Sequence, residues 1–180
     1  MVSLRPMRLE DLALVERWLV EPHVARWYLA GSSLETELED VRQSVSEAQA
    51  VHLLVVLHDD QPIGWCQWYQ CDVDPAWATD VGAASGDCGI DYAIGDQTRV
   101  GGGVGTELIA ALVRLVQAAR PGCRIIADPD AQNRASRRVL EKNGFELVAV
   151  KAMASEPTDE PMAIYQLPAS SPPEGGLPLH

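Results

Sequence analysis

The sequence predicts an α/β protein: one mixed β-sheet with helices on both faces. Three observations carry this. Apolar residues recur at helical spacing in four segments, they alternate or run together in seven short ones, and turn residues separate the two kinds in the order β-α-α-β-β-β-α-β-α-β-β. The 180 residues, 47% of them apolar, make about one domain's length and can bury a sizeable core. No internal repeat or second domain is visible, so 1–167 is expected to be a single domain.

A strand over 2–5 opens the chain. A helix over 10–20 carries Leu12, Val15 and Leu19 on one face and is expected to stop at Pro22. A second helix begins at Ser33, with Leu34, Leu38, Val41 and Val45 inward and Glu35, Glu37, Glu39 and Asp40 outward. The period then changes: strands over 51–57 and 63–69 flank Asp59-Asp60-Gln61-Pro62 and form a β-hairpin, which makes the early pairing antiparallel. The polar, Gly- and Pro-punctuated stretch 71–87 reads as a long functional or mobile loop. A strand over 89–94, a helix over 104–119, a strand over 124–127, a helix over 133–142 ended by Asn143-Gly144, and strands over 145–150 and 162–167 complete the domain. The later β-α-β units argue some parallel pairing. Residues 168–180 contain four prolines and two glycines and are expected to be a disordered tail.

Charge narrows the partners. Fourteen Lys and Arg against 26 Asp and Glu give a net charge of −12, which lacks the basic surface that nucleic-acid binding needs and favours a cationic small molecule. No apolar run approaches the roughly 20 residues of a membrane span, and the first residues lack a signal peptide's apolar core, so a cytoplasmic location is expected. Cys66, Cys71, Cys88 and Cys123 are irregularly spaced and form no metal motif; reduced structural thiols and no metal are expected.

Between the strand over 89–94 and the next helix lies Arg99-Val100-Gly101-Gly102-Gly103-Val104-Gly105-Thr106. Glycines there let backbone N–H groups approach a ligand, and the helix N-terminus favours an anion such as a phosphate. The spacing fails both the P-loop and the dinucleotide pattern, and taken alone the loop also fits a flexible connector.

Together with Asp128-Pro129 and the helix from Asn133 to Glu141-Lys142-Asn143-Gly144-Phe145, this loop resembles the acyl-coenzyme A binding core of the GNAT superfamily of N-acyltransferases. The resemblance implies acetyl-coenzyme A as cosubstrate. It carries cofactor contacts onto Ile94, Arg99, Gly101, Gly102, Gly103, Val104, Gly105, Thr106, Asn133, Ser136 and Arg137. The superfamily's Gln or Arg before the glycines is Val100 here, with Arg99 one step away.

No Lys or Arg occurs between Arg42 and Arg99, while nine carboxylates do, interleaved with Trp65, Trp68, Tyr69 and Trp77. The run fits a solvated face, and it also fits recognition of a polyammonium sugar by charge and flat ring faces. Leu4-Arg5-Pro6-Met7, His23-Val24-Ala25-Arg26-Trp27-Tyr28, the strand from Pro62 to Tyr69, and Gly89-Ile90-Asp91 are similar in order and spacing to aminoglycoside 6′-N-acetyltransferases. That resemblance places the base toward the attacking amine on Asp91, and aminoglycoside contacts on Asp72, Asp74 and Asp128, with Trp27, Tyr69 and Trp77 as further pocket residues. General chemistry agrees for Asp91, because an alkylammonium must lose a proton before it attacks a thioester. His23, His52 and His58 are given no catalytic role.

One departure stands out. Superfamily members commonly carry a Tyr seven residues after the Asn, where it protonates the departing thiolate; this chain has Leu140 there. Leu140 is expected to face the active site, where leucine has no proton to give, so that water or Ser136 serves, the thiolate leaves unprotonated, or efficient catalysis is lost; the other reading places Leu140 in the core. The alternatives are acylation of a siderophore precursor or another polyamine, and a noncatalytic acyl-coenzyme A binding module. Monomer and homodimer both remain open.

Overall fold

Strands β1 (Val2–Pro6), β2 (Val51–His58), β3 (Gln61–Gln70) and β4 (Cys88–Ile94) pair antiparallel in that order in the computed structural model, which describes residues 1–47, 50–156 and 158–169. Asp59 and Asp60 link β2 to β3 with φ of 51° and 62°. Two successive left-handed residues are what a tight hairpin turn requires, and short Asp side chains tolerate that backbone.

β5 (Ile125–Ala127) joins β4 in parallel through two residue pairs, Cys88 with Ile125 and Gly89 with Ile126. β7 (Met162–Leu167) and the edge strand β6 (Glu146–Lys151) continue the sheet antiparallel, giving the order β1-β2-β3-β4-β5-β7-β6. The mixed pairing expected from the sequence is therefore present.

β2 explains its own continuous apolar run. Leu53 and Val55 face α1 (Leu12–Leu19), α2 (Pro22–Tyr28) and α3 (Leu34–Ser46), where Val15, Trp18, Leu19 and Val24 pack. Leu54 and Val56 point the other way, into a core with Leu108, Ile109, Leu112 and Val116 of α5 (Val104–Ala119) and Leu140 of α6 (Arg134–Lys142). A strand buried on both faces has no polar side to alternate with. Each fully buried aliphatic side chain contributes about 1.5–3 kcal/mol, so both layers hold the sheet in place.

Two helices differ from expectation. Pro22 starts α2 instead of only ending α1, because a proline at the first helical position sacrifices an N–H that has no acceptor there. The stretch 71–87 is not all loop: it contains α4 (Pro75–Val81), again opened by proline, with the Asp74 carboxylate accepting the N–H groups of Ala76 and Trp77 at 3.0 Å. Pro168 and Ala169 follow β7, and the rest of the expected tail lies outside the described residues.

Two ion pairs are partly buried. Arg5 donates from both terminal nitrogens to Asp11, at 2.7 and 2.8 Å, and the Arg8 N–H adds a third bond at 2.9 Å. The Arg5 guanidinium holds the Asp11 carboxyl below the usual carboxylate range. Arg124 clamps the buried Asp87 and reaches Gly82 O and Gln166 Oε1. All four cysteines are free and buried. No described helix is long and apolar enough to cross a membrane.

Candidate active site

β4 and β5 part after Gly89 and Ile126, and Pro129 prevents β5 from continuing as a central strand. The gap opens into a cleft of about 330 Å³. β4 contributes Ile90, Asp91 and Tyr92; the end of β5 contributes Ala127, Asp128 and Pro129; the start of α6 contributes Asn133 and Ser136. Trp27 and Tyr28 of α2, Glu37 of α3, and Glu156 and Glu160 from the β6–β7 connection complete the wall.

Asp91 sits opposite Gln67 in the β3–β4 register, and the Gln67 amide donates to its Oδ2 at 2.7 Å. Burial raises its carboxyl above the ordinary range, against the lowering pull of hydrogen bonds from Gln67 and Tyr69. Gly89 makes the Tyr69 contact possible: a Cβ there would stand 2.5 Å from the tyrosine ring, so only glycine lets that ring lie across β4.

Other carboxylates share the cleft. Trp77 donates its indole N–H to Asp128 at 3.0 Å, yet burial, and then the charge of Asp91, push Asp128 well up. Glu156 and Glu37 are both raised, first by burial and then by neighbouring carboxylates that include Asp91. No Lys, Arg or His lines the cleft among the described residues. A wall of carboxylates that no protein cation neutralises attracts a ligand cation strongly.

The glycine loop leads into α5. Gly101 and Gly103 take φ of 89° and 86°, and nothing lies within 4 Å of where side chains would stand on Gly101, Gly102 or Gly103. Those residues form an open cradle in front of a sixteen-residue helix, whose first N–H groups have no carbonyl acceptor within the helix. Gly105 sits under α6, where an added Cβ would meet Val139 Cγ1 at 3.2 Å, so this glycine serves close helix packing as well.

A family model described as the acetyltransferase (GNAT) domain matches residues 8–152. The chain belongs to the GNAT acetyltransferase family. This acetyltransferase is 30% identical over 159 residues, 81% of this chain and 74% of theirs, to the aminoglycoside N(6′)-acetyltransferases type 1 of Klebsiella pneumoniae and Serratia marcescens. It is also 27% identical over 177 residues to the lysine N-acyltransferase MbtK of Mycobacterium tuberculosis, covering 93% of this chain and 77% of that one. The solved aminoglycoside acetyltransferase AAC(6′)-Ib in complex with coenzyme A matches it with a TM-score of 0.74 at 27% identity, over 93% of this chain and 95% of that one.

Within this GNAT acetyltransferase, the sequence-expected residues divide. Trp27, Asp91, Asp128, Asn133 and Ser136 meet at the cleft. Tyr69 and Trp77 stand behind it, 5.4 Å apart edge to face, and reach it through their bonds to Asp91 and Asp128. Asp72 and Asp74 do not line it: Asp72 accepts from Ser85 Oγ at 3.1 Å and Asp74 caps α4. Among the expected coenzyme contacts, Val104 turns its side chain into the core, and the Thr106 carbonyl accepts from Asn143. The Ile94 carbonyl accepts from His23 Nε2–H at 2.8 Å. Arg99 is held beside His58 and Asp96. Arg137 is turned inward, donating to Tyr165 Oη and Ala131 O at 3.0 Å each.

Leu140 requires correction. It is fully buried in the α5–α6 core, with no part in the cleft wall, because the apolar face of α6 must cover the sheet. Sequence reasoning missed Tyr28, Glu37, Tyr92, Glu156 and Glu160. Helical spacing alone puts Glu37 on the outward face of α3, and Tyr92 directly follows Asp91 on β4. No local signal marks Glu156 or Glu160.

Proposed function

We propose that this acetyltransferase moves an acetyl group from acetyl-coenzyme A to a primary amine of a polycationic small molecule, the 6′-amine of an aminoglycoside, by direct attack in a ternary complex. The observation that carries this is Asp91, a carboxylate raised by burial and facing a cleft walled by further carboxylates. Asp128, Glu37 and Glu156 hold the substrate's other ammonium groups, and Trp27 offers a ring face. Asp91 takes the proton from the attacking ammonium, and its pKa, lifted above that of an ordinary carboxylate, brings it closer to the pKa an efficient base needs. The open cradle of Gly101–Gly103 and the N-terminus of α5 fit a pyrophosphate, with backbone N–H groups of Gly103, Val104 and Gly105 as donors. When bound, the coenzyme supplies an activated acetyl thioester. The AAC(6′)-Ib relatives solved with coenzyme A and with kanamycin support both halves of the assignment.

A lysine-type acceptor is the second reading, favoured by the similarity to MbtK across 93% of this chain. Thiol release from acetyl-coenzyme A, assayed across a panel of aminoglycosides, polyamines and lysine derivatives, decides between them. Release that depends on 6′-amino aminoglycosides supports the proposal; release only with lysine derivatives transfers it to the second reading. Coenzyme binding with no amine-dependent release would make the protein a binding module.

A further inference from the structure

Acyl transfer from a thioester to an amine leaves a thiolate, and the cleft must supply it a proton or release it charged. Leu140 is apolar and buried away from the cleft, so the proton has to come from elsewhere. Tyr92 is the next residue to Asp91 on the unpaired part of β4, and consecutive strand residues project to opposite faces. Asp91 reaches Gln67 of β3; Tyr92 reaches α6, where its Oη lies 2.6 Å from Ser136 Oγ. Ser136 is fixed in turn, its N–H donating to the Asn133 side chain at 3.1 Å in the first turn of α6. Both hydroxyls line the same cleft as Asp91. When Ser136 Oγ–H donates to Tyr92 Oη, the Tyr92 O–H is left with a long bond to the Ser136 carbonyl at 3.4 Å, which an acceptor atom in the cleft can replace. Of the other hydroxyl-bearing side chains in the wall, Tyr28 packs against Trp65 on the opposite side of the sheet, while Ser32 and Thr158 lie in its connecting segments.

We propose that Tyr92, held by Ser136, is the catalytic acid of this enzyme: it protonates the departing thiolate in place of the residue that Leu140 replaces. The phenol O–H bond breaks as the S–H bond forms; the phenolate accepts a hydrogen bond from Ser136 Oγ–H and recovers its proton from water. Tyr92 is a neutral phenol at physiological pH, the form an acid requires; burial raises its pKa further and weakens it as a donor, and the Ser136 hydrogen bond pulls the other way by stabilising the phenolate. The inference rests on the direct-transfer reading given above for this cleft.

The test separates the two. Affinities of coenzyme A and of desulfo-coenzyme A, which lacks the sulfur, are measured by calorimetry from about pH 7 to about pH 9, across ordinary thiol ionisation. The wild type should gain affinity for coenzyme A over the desulfo analogue as the thiolate forms; Tyr92→Phe should lose that gain while binding the desulfo analogue within about twofold, and Ser136→Ala should show a smaller loss. Amine-dependent thiol release should fall by more than about tenfold in Tyr92→Phe. An unchanged pH-dependent preference in Tyr92→Phe overturns the proposal, whatever amine is used. If Tyr92→Phe fails to bind even the desulfo analogue, Ser136→Ala decides: a wild-type preference in that variant overturns it. A preference lost in Tyr92→Phe, where the wild type itself releases thiol to no amine, would retain Tyr92 at the sulfur and reject the acceptor assignment instead.

Discussion

Gln67 and Asp91 stand directly opposite one another across β3 and β4, and the Gln67 amide reaches Asp91 Oδ2 at 2.7 Å. A neutral donor at that position orients the carboxylate without cancelling its charge. A lysine or arginine there would form an ion pair, lower the pKa and leave a weak base. The hydrogen bond thus fixes where the carboxylate points, while burial sets how readily it takes a proton.

Asp91→Asn should lower amine-dependent acetylation by more than about tenfold and leave coenzyme affinity nearly unchanged. With Asp91 as the proposed base, the rate requires the ionised carboxylate. Because burial raises its pKa, the rate should fall on acidification at a pH above the ordinary Asp value of about 3.9. Steady-state kinetics against pH, with calorimetry of the variant, checks both; comparable rates for Asn and Asp at neutral pH would remove Asp91 from the mechanism.

Asp128→Asn should trade function for stability. A carboxyl whose pKa is raised on folding contributes stability below its unfolded pKa and loses it as pH rises through the folded value. At neutral pH, where the carboxyl of the unfolded chain is ionised, carrying it into this site is therefore a burden on folding, and the amide should raise the melting temperature by about 2–4 °C per kcal/mol relieved. The gain should shrink in acid, and affinity for a polyammonium substrate should drop. A variant that melts below wild type at neutral pH would contradict the sign.

Arg5→Ala should destabilise, because it strands Asp11, whose side chain is 6% exposed. The cost should be about 2 kcal/mol, less than the ~3–5 kcal/mol of a fully buried pair because Arg5 itself is 34% exposed. Asp11 has a depressed pKa, so its contribution is present above the ordinary carboxylate value and lost as pH falls through the folded one. Denaturant titrations at neutral and acid pH should show the difference between variant and wild type closing in acid.

Leu140→Tyr should cost roughly 1–3 kcal/mol through overpacking and leave kinetics per folded molecule unchanged. A rate increase would mean that the ring swings out of the core into the cleft.

Salt should raise the Michaelis constant of a polycationic amine more than that of an uncharged analogue, because added ions screen the carboxylate wall. Kinetics at two ionic strengths suffices, and a salt-independent constant would rule out the charge attraction.

The sheet was legible in the sequence because β2, β3 and β4 carry apolar runs, with a tight turn between the first two and a polar, Gly- and Pro-punctuated stretch before the third. Short helices opened by proline were harder: Pro22 and Pro75 read as breaks, and only the neighbouring chain shows that each begins a helix. Asp91 and Asp128 could be found from local motifs. Glu37 and Glu156 could not, since their role comes from where α3 and the β6–β7 connection pass in space, and no spacing along the chain encodes that. Leu140 was misplaced because a helix position fixes an angle around the axis, and the choice between core and cleft depends on which way α6 leans over the sheet.

Among the described residues β4 and β5 share only two residue pairs, fewer than any other strand pairing in the sheet, so the ladder is thinnest at this seam. Backbone groups of β4 past Gly89 that point away from β3 have no strand to pair with, although α2 meets the last of them where His23 caps Ile94. An extended, amide-bearing ligand laid into that gap would act as the absent strand. Its amide hydrogens and carbonyls would complete the ladder, and the two halves would then resist parting together. Occupancy should therefore register as slower hydrogen exchange in both half-sheets, far beyond the atoms the ligand touches.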